Sequence, residues 1–113
     1  MQPDVKTFAS YFDHTLLKPE ATPEMIRKLC DEAVAHGFQG VCGQPCYTAL
    51  AARCLAGTPQ LTMAVVGFPL GANRTDIKID EALRAVSDGA RELDMVINIG
   101  LYAGGEAAAV RHD

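Results

Sequence analysis

No run of basic residues occurs in this 113-residue chain; its ten Lys and Arg are scattered, and the net charge is −4. A nucleic-acid groove needs cations gathered on one face, so the pattern argues against that class of partner. Long apolar runs are missing too. The longest, near Met63 to Ala72, is too short to cross a bilayer and is interrupted by glycine and proline. The four cysteines, Cys30, Cys42, Cys46 and Cys54, form no Cys-x-x-Cys pair and no zinc-finger array with histidine. The start, Met1-Gln2-Pro3-Asp4-Val5-Lys6, lacks the apolar core of a signal peptide, so a cytoplasmic location with reduced thiols is expected. There is no P-loop, no dinucleotide fingerprint, no Gly-x-Ser-x-Gly elbow and no metalloprotease histidine pair, and no metal or cofactor is expected.

What is present is an ordinary globular composition, 49% hydrophobic and 21% charged, at a length that fits one domain, residues 1–113. Residues 4 to 12 carry Val5, Phe8, Ala9 and Phe12 at the spacing of a short amphipathic helix. A strand follows around Tyr11 to Leu17. Thr22-Pro23-Glu24 then opens a helix, with a hydroxyl N-cap, a first-turn proline and an acid at the positive dipole end. Ile26, Leu29, Cys30, Ala33 and Val34 form its apolar stripe, and Gly37 stands at its C-cap.

The same unit recurs. Gln39 to Cys42 reads as a short strand, followed by a helix from Pro45 through Ala56 with Tyr47, Leu50, Ala51 and Cys54 as buried candidates. Leu61 to Phe68 is nearly all apolar, which suits a strand covered on both faces. Asn73-Arg74-Thr75-Asp76 is expected to cap a third helix, with Ile79, Leu83 and Val86 on one apolar stripe. Gly89 closes that helix, and Glu92 to Gly100 reads as a fourth strand. Glu106 opens a last helix that stops short, either a frayed end or a helix cut short. Helices and strands in alternation predict an α/β fold with parallel strands, as a doubly wound sheet or as part of a closed barrel.

The chemistry-bearing residues gather where such folds place it, at the carboxyl ends of strands. Asp13-His14-Thr15-Leu16-Leu17-Lys18-Pro19 ends the first strand; Asp13 suits a substrate hydroxyl, the orientation of a base or a plain loop anchor. His14 is expected on the opposite face, and Lys18, before a proline, near solvent. Gly67-Phe68-Pro69-Leu70-Gly71 reads as a tight turn after the third strand. In the fourth strand Leu93, Met95, Ile97 and Ile99 fall on one side, Asp94, Val96 and Asn98 on the other. That pattern fits a polar lining or simply one wet face.

Four segments in this order carry a resemblance: Asp13 to Pro19; Val41-Cys42 followed by Pro45; Val66 to Gly71; and Gly89-Ala90-Arg91-Glu92-Leu93-Asp94-Met95-Val96-Ile97-Asn98-Ile99-Gly100. Together the chain resembles the N-terminal part of the deoxyribose-phosphate aldolases, class I aldolases with a TIM (β/α)8 barrel. The resemblance runs from about Phe8 to the end; Gly43-Gln44, between Cys42 and Pro45, departs from the family's usual larger apolar residue. It implies about four parallel strands with outer helices, half of a barrel. It also implies reversible cleavage of 2-deoxy-D-ribose 5-phosphate to acetaldehyde and D-glyceraldehyde 3-phosphate through a lysine Schiff base. Asp94 matches the aspartate of proton transfer, Cys42 a pocket-lining position and Asp13 a position near the substrate.

The resemblance also marks an absence. A complete barrel takes roughly 250 residues. The family's Schiff-base lysine, in a Lys-Thr-Ser-Thr-Gly-like segment, has no counterpart here. The lysines are Lys6, Lys18, Lys28 and Lys78, of which Lys28 and Lys78 read as helix-surface charges. The isolated chain is therefore expected to be inactive, and its open strand edges to favour homo-oligomers. A non-catalytic half-barrel acting as an associating module is the competing reading, and an intact small α/β enzyme of another kind is a third.

Overall fold

A computed structural model describes residues 4–113; the opening Met1-Gln2-Pro3 lies outside the described residues. Four strands pair in parallel and in chain order: β1 (Asp13–Leu16), β2 (Gly40–Gly43), β3 (Leu61–Val66) and β4 (Glu92–Met95). Between them run α2 (Pro23–His36), α3 (Thr48–Cys54) and α4 (Thr75–Ser87); α1 (Val5–Ala9) precedes the sheet, and α5 (Ile99–Ala103) and α6 (Ala107–His112) follow it.

Local chemistry accounts for most boundaries. The Thr22 hydroxyl accepts the Met25 N–H, with Pro23 in the first turn, so α2 starts as its sequence signals. Gly37 ends it at φ 68°, a left-handed conformation that costs a side-chain-bearing residue clash energy. Three expectations shift. Pro45–Tyr47 forms a 3-10 turn before α3, because the Pro45 carbonyl takes the Thr48 N–H within a tighter turn. Within the segment Asn73 to Asp76, Arg74 occupies the N-cap of α4, and no side chain makes the capping bond. The fourth strand ends at Met95, and Ile99 belongs to α5, which the Asn98 side chain caps by accepting the Leu101 N–H at 3.0 Å. An asparagine cap thus overrides the β-branched alternation that extends to Ile99.

Register divides the sheet into two faces. His14, Val41 and Thr62 are in register, as are Leu16, Gly43, Ala64 and Leu93. These point to the helices. Val41 joins Ile26, Leu29, Cys30, Ala33, Ala51 and Leu55 in the main core, and Ala64 packs with Ala85 and Ala90 beneath α4. His14 donates to the Glu32 carboxylate of α2 at 2.7 Å, on the side away from Asp13 as its alternation requires. Cys42, Met63 and Val65 form a separate cluster, with Leu17 and Leu61, on the inner face.

The α4 stripe is a correction. Ile79, Leu83 and Val86 are 54%, 65% and 51% exposed, whereas Lys78 and Ala85 are buried. The small side chains of Ala64, Ala85 and Ala90 let α4 approach the sheet closely, and the helix is rotated so that its larger apolar residues stay outside. Val34 of α2, expected on the buried stripe, is also exposed. Leu93 and Met95 lie in register with Ala64 and Val66 on the helical face, yet nothing covers them fully, and they remain 42% and 43% exposed.

Candidate active site on the inner sheet face

The inner face is built by strand alternation. Thr15, Cys42, Met63 and Glu92 share one row; Asp13 lies two residues before Thr15, and Asp94, beside Val65, two after Glu92. Side chains on a strand return to the same face every second residue, so Asp13, Cys42 and Asp94 are brought to one surface. β1 and β4 are the two edges of the sheet, yet Asp13 feels the charges of both Glu92 and Asp94. The sheet is therefore curled, as strands of a barrel are.

The electrostatics follow. Partial burial, then the carboxylates of Glu92 and Asp94, push the Asp13 carboxyl above its usual range. Burial, with the charges of Asp94 and Asp13 added, pushes the Cys42 thiol up to about 11. Cys42 is thus a neutral wall residue at neutral pH, not a nucleophile. Glu92 is the inner-face acid that the sequence reading missed; its position two residues before Asp94 carries the signal.

The loops at the strand exits are tied to one another. The Gln44 amide donates to the Leu17 carbonyl at 3.0 Å, joining the exits of β2 and β1. This gives the Gly43-Gln44 departure a structural use. The Tyr47 hydroxyl donates to the Ala21 carbonyl at 2.6 Å. After β3 the chain turns tightly, the Gly71 N–H donating to the Gly67 carbonyl at 2.7 Å, and the Phe68–Pro69 peptide is cis. Gly71 has φ 64°, and a Cβ there would stand 2.0 Å from the Ile97 carbonyl oxygen, so only glycine fits. Lys18 is exposed at the end of β1, where a desolvated amine is not provided.

Lys78 is a second correction. It is not a surface charge: its side chain is 1% exposed, and its ammonium donates to the Val96 carbonyl at 3.0 Å and to the Asp113 carboxylate. Two turns of α4 place Lys78, Glu81 and Ala85 on the sheet side, one residue out of phase with the apolar stripe that dominates the sequence. Lys28 is the surface charge expected, 78% exposed beside Glu32.

A large cleft, about 550 Å³, lies elsewhere, lined by Arg74, Thr75, Asp76, Ile79 and His112 at the start of α4. It holds none of the inner-face acids. On the inner face the central side chains Cys42, Met63 and Val65 are buried, while the acids Asp13, Glu92 and Asp94 on the edge strands are exposed. Among the described residues no helix is long and apolar enough to cross a membrane.

Four parallel strands with helices on one side and acids on the concave other side define half of a TIM-type barrel. No family model matches the chain. It is 49% identical over 110 residues to a deoxyribose-phosphate aldolase of Clostridium kluyveri, covering 97% of this chain and 50% of that protein. It is 50% identical over 113 residues to one from Actinobacillus succinogenes, again 50% of its length. A tetrameric deoxyribose phosphate aldolase structure from Aeropyrum pernix superimposes with a TM-score of 0.82 at 36% identity, over 87% of this chain and 42% of that one. The chain is homologous, along nearly its whole length, to about half of a deoxyribose-phosphate aldolase.

Proposed function

We propose that this chain supplies one half of the active site of a deoxyribose-phosphate aldolase, cleaving 2-deoxy-D-ribose 5-phosphate reversibly to acetaldehyde and D-glyceraldehyde 3-phosphate. The observation that carries the reading is the match of the whole chain, at about 50% identity, to half of such enzymes. In the proposed reaction a lysine amine from the other half condenses with the sugar carbonyl, and the iminium draws electrons from the breaking carbon–carbon bond. Asp94 moves the proton, Asp13 binds the substrate near the exit of β1, and Cys42 shapes the pocket wall. No metal or other cofactor enters this scheme. The work is cytoplasmic deoxyribonucleotide catabolism, and the assembled enzyme self-associates.

By itself the chain is proposed to be inactive, since Lys78 is engaged on the helical side and Lys18 is open to water. Borohydride reduction in the presence of the sugar phosphate tests this. The isolated chain should trap no adduct. A full-length chimera, in which this chain replaces the matching half of the Clostridium kluyveri relative, should trap one and turn over. An adduct on Lys18 of the isolated chain, or a folded chimera without turnover, overturns the reading.

The second reading, a non-catalytic associating module, draws on one observation. Ile79, Leu83 and Val86 of α4 are exposed, and so are Leu93 and Met95 of β4, an edge strand of the sheet. Open edges and apolar surface favour pairing with another chain. Sedimentation that finds a compact monomer at high concentration removes this reading.

A further inference from the structure

Lys78 is the only charged residue that is fully buried among the described residues, and the proposed chemistry does not use it. Burying an ammonium is costly unless charge and hydrogen bonds compensate. Here both are supplied. Asp113, with its side chain 5% exposed, provides the counter-charge and is itself held by the Thr75 hydroxyl, which donates to its second oxygen at 2.7 Å. A second hydrogen bond of the ammonium goes to the Val96 carbonyl, two residues beyond Asp94.

β4 is an edge strand with a ladder on one side only, to β3, and all four of its residues are exposed. Beyond Met95 the ladder makes one more bond, from the Val96 N–H to the Val66 carbonyl at 2.9 Å. The Val96 residue is thus fixed through its N–H by β3 and through its carbonyl by Lys78. The same helix turn fixes the neighbouring exit. The Glu81 carboxylate accepts the Gly67 N–H at 2.7 Å, and the Lys78 stem lies so close to Gly67 that a Cβ there would meet its Cε at 3.1 Å.

We propose that Lys78 is a positioning residue for Asp94: from α4, with Asp113 as its counter-charge, it holds the Val96 carbonyl and so fixes the end of β4 and the direction of the Asp94 carboxylate. The functional part rests on the reading of Asp94 as the proton-transferring group. An apolar side chain of similar size would fill the same space without the desolvation cost, so the ion pair's contribution lies in defining geometry rather than in net stability. Its reach also couples α6 to the strand exit, because Asp113 directly follows Ala107–His112.

The test uses Lys78→Met and Asp113→Asn in the 113-residue chain. Three-bond couplings report the Asp94 side-chain rotamer, and hydrogen exchange reports the Val96 amide. In Lys78→Met the Asp94 rotamer should become averaged and Val96 exchange should rise about tenfold or more, a local opening, while amides of α2 keep their protection. Asp113→Asn should move the same two sites less. Unchanged readings at Asp94 and Val96 in folded Lys78→Met overturn the proposal; if that variant does not fold, unchanged readings in Asp113→Asn do so. In the full-length chimera, Lys78→Met should lower kcat with KM within about twofold, and Lys78→Arg should recover part of the loss. A chimera with an averaged Asp94 rotamer but unaltered kcat overturns the functional part. A chimera that never turns over removes the aldolase reading instead, and the rotamer and exchange results still decide whether Lys78 positions Asp94.

Discussion

Two helical residues that look alike in sequence should differ severalfold in what they contribute. Ile26 and Leu83 both belong to apolar stripes with helical spacing. Ile26 is 1% exposed, in the core with Leu29, Cys30, Ala33 and Val41, while Leu83 is 65% exposed on α4. Truncating a fully buried isoleucine to alanine removes its transfer free energy and leaves a cavity, together about 2–5 kcal/mol. Leu83 has about a third of its surface covered, so Leu83→Ala loses about 0.5–1 kcal/mol, a third of a buried side chain's roughly 1.5–3 kcal/mol, with little cavity. Urea unfolding followed by circular dichroism measures both at one protein concentration. Equal losses would refute the reasoning. The comparison also probes association. If a partner chain covers the α4 stripe, the Leu83→Ala loss grows with protein concentration, because dissociation is coupled to unfolding. A loss above about 2 kcal/mol that persists on dilution would mean that α4 packs with Leu83 inside, contrary to the structure.

The acid limb of stability should carry two contributions of opposite sign. Hydrogen bonds from Lys78 and Thr75 hold the Asp113 carboxyl below its usual 3.8, so its contribution is complete above that value and is lost as pH falls through the lowered one. Asp113→Asn should flatten the fall in unfolding midpoint below about pH 4. Asp13 is raised above 3.8 by burial and by Glu92 and Asp94, so its ionised form opposes folding; Asp13→Asn should raise the midpoint at pH 7, and the gain should vanish once both states are protonated. Cys42 should resist iodoacetamide at pH 8, where a thiol at about 11 is about one-thousandth thiolate, whereas exposed Cys46 should be labelled, as peptide mass mapping would show. Gly71→Ala should cost about 2–3 kcal/mol, adding a clash with Ile97 to a left-handed backbone, while Gly37→Ala, with free space around it, should cost only about 1–2 kcal/mol by thermal melts.

The sequence by itself determined the order of elements, the parallel α/β class and the candidate acids. Those features are periodic or local. Thr22-Pro23 starts a helix and Gly37 ends it whatever lies nearby, and alternation assigns Asp94 and Leu93 to opposite faces without any knowledge of neighbours. The same alternation puts Glu92 on the Asp94 face, two residues earlier. Tertiary structure alone decided which stripe of α4 faces inward. An apolar period shows that a helix has a face, not that anything is there to cover it, and three small alanines drew α4 to the sheet on the side that carries Lys78. The burial of Lys78 was illegible for the same reason. Its counter-charge Asp113 is 35 residues away in the chain, and its carbonyl partner Val96 is 18 away, so no local rule connects them. Curvature of the sheet is the last of these decisions. Only its curl brings Asp13 on one edge within reach of the charges of Glu92 and Asp94 on the other, because pairing register fixes neighbours along a ladder but not how far the sheet bends.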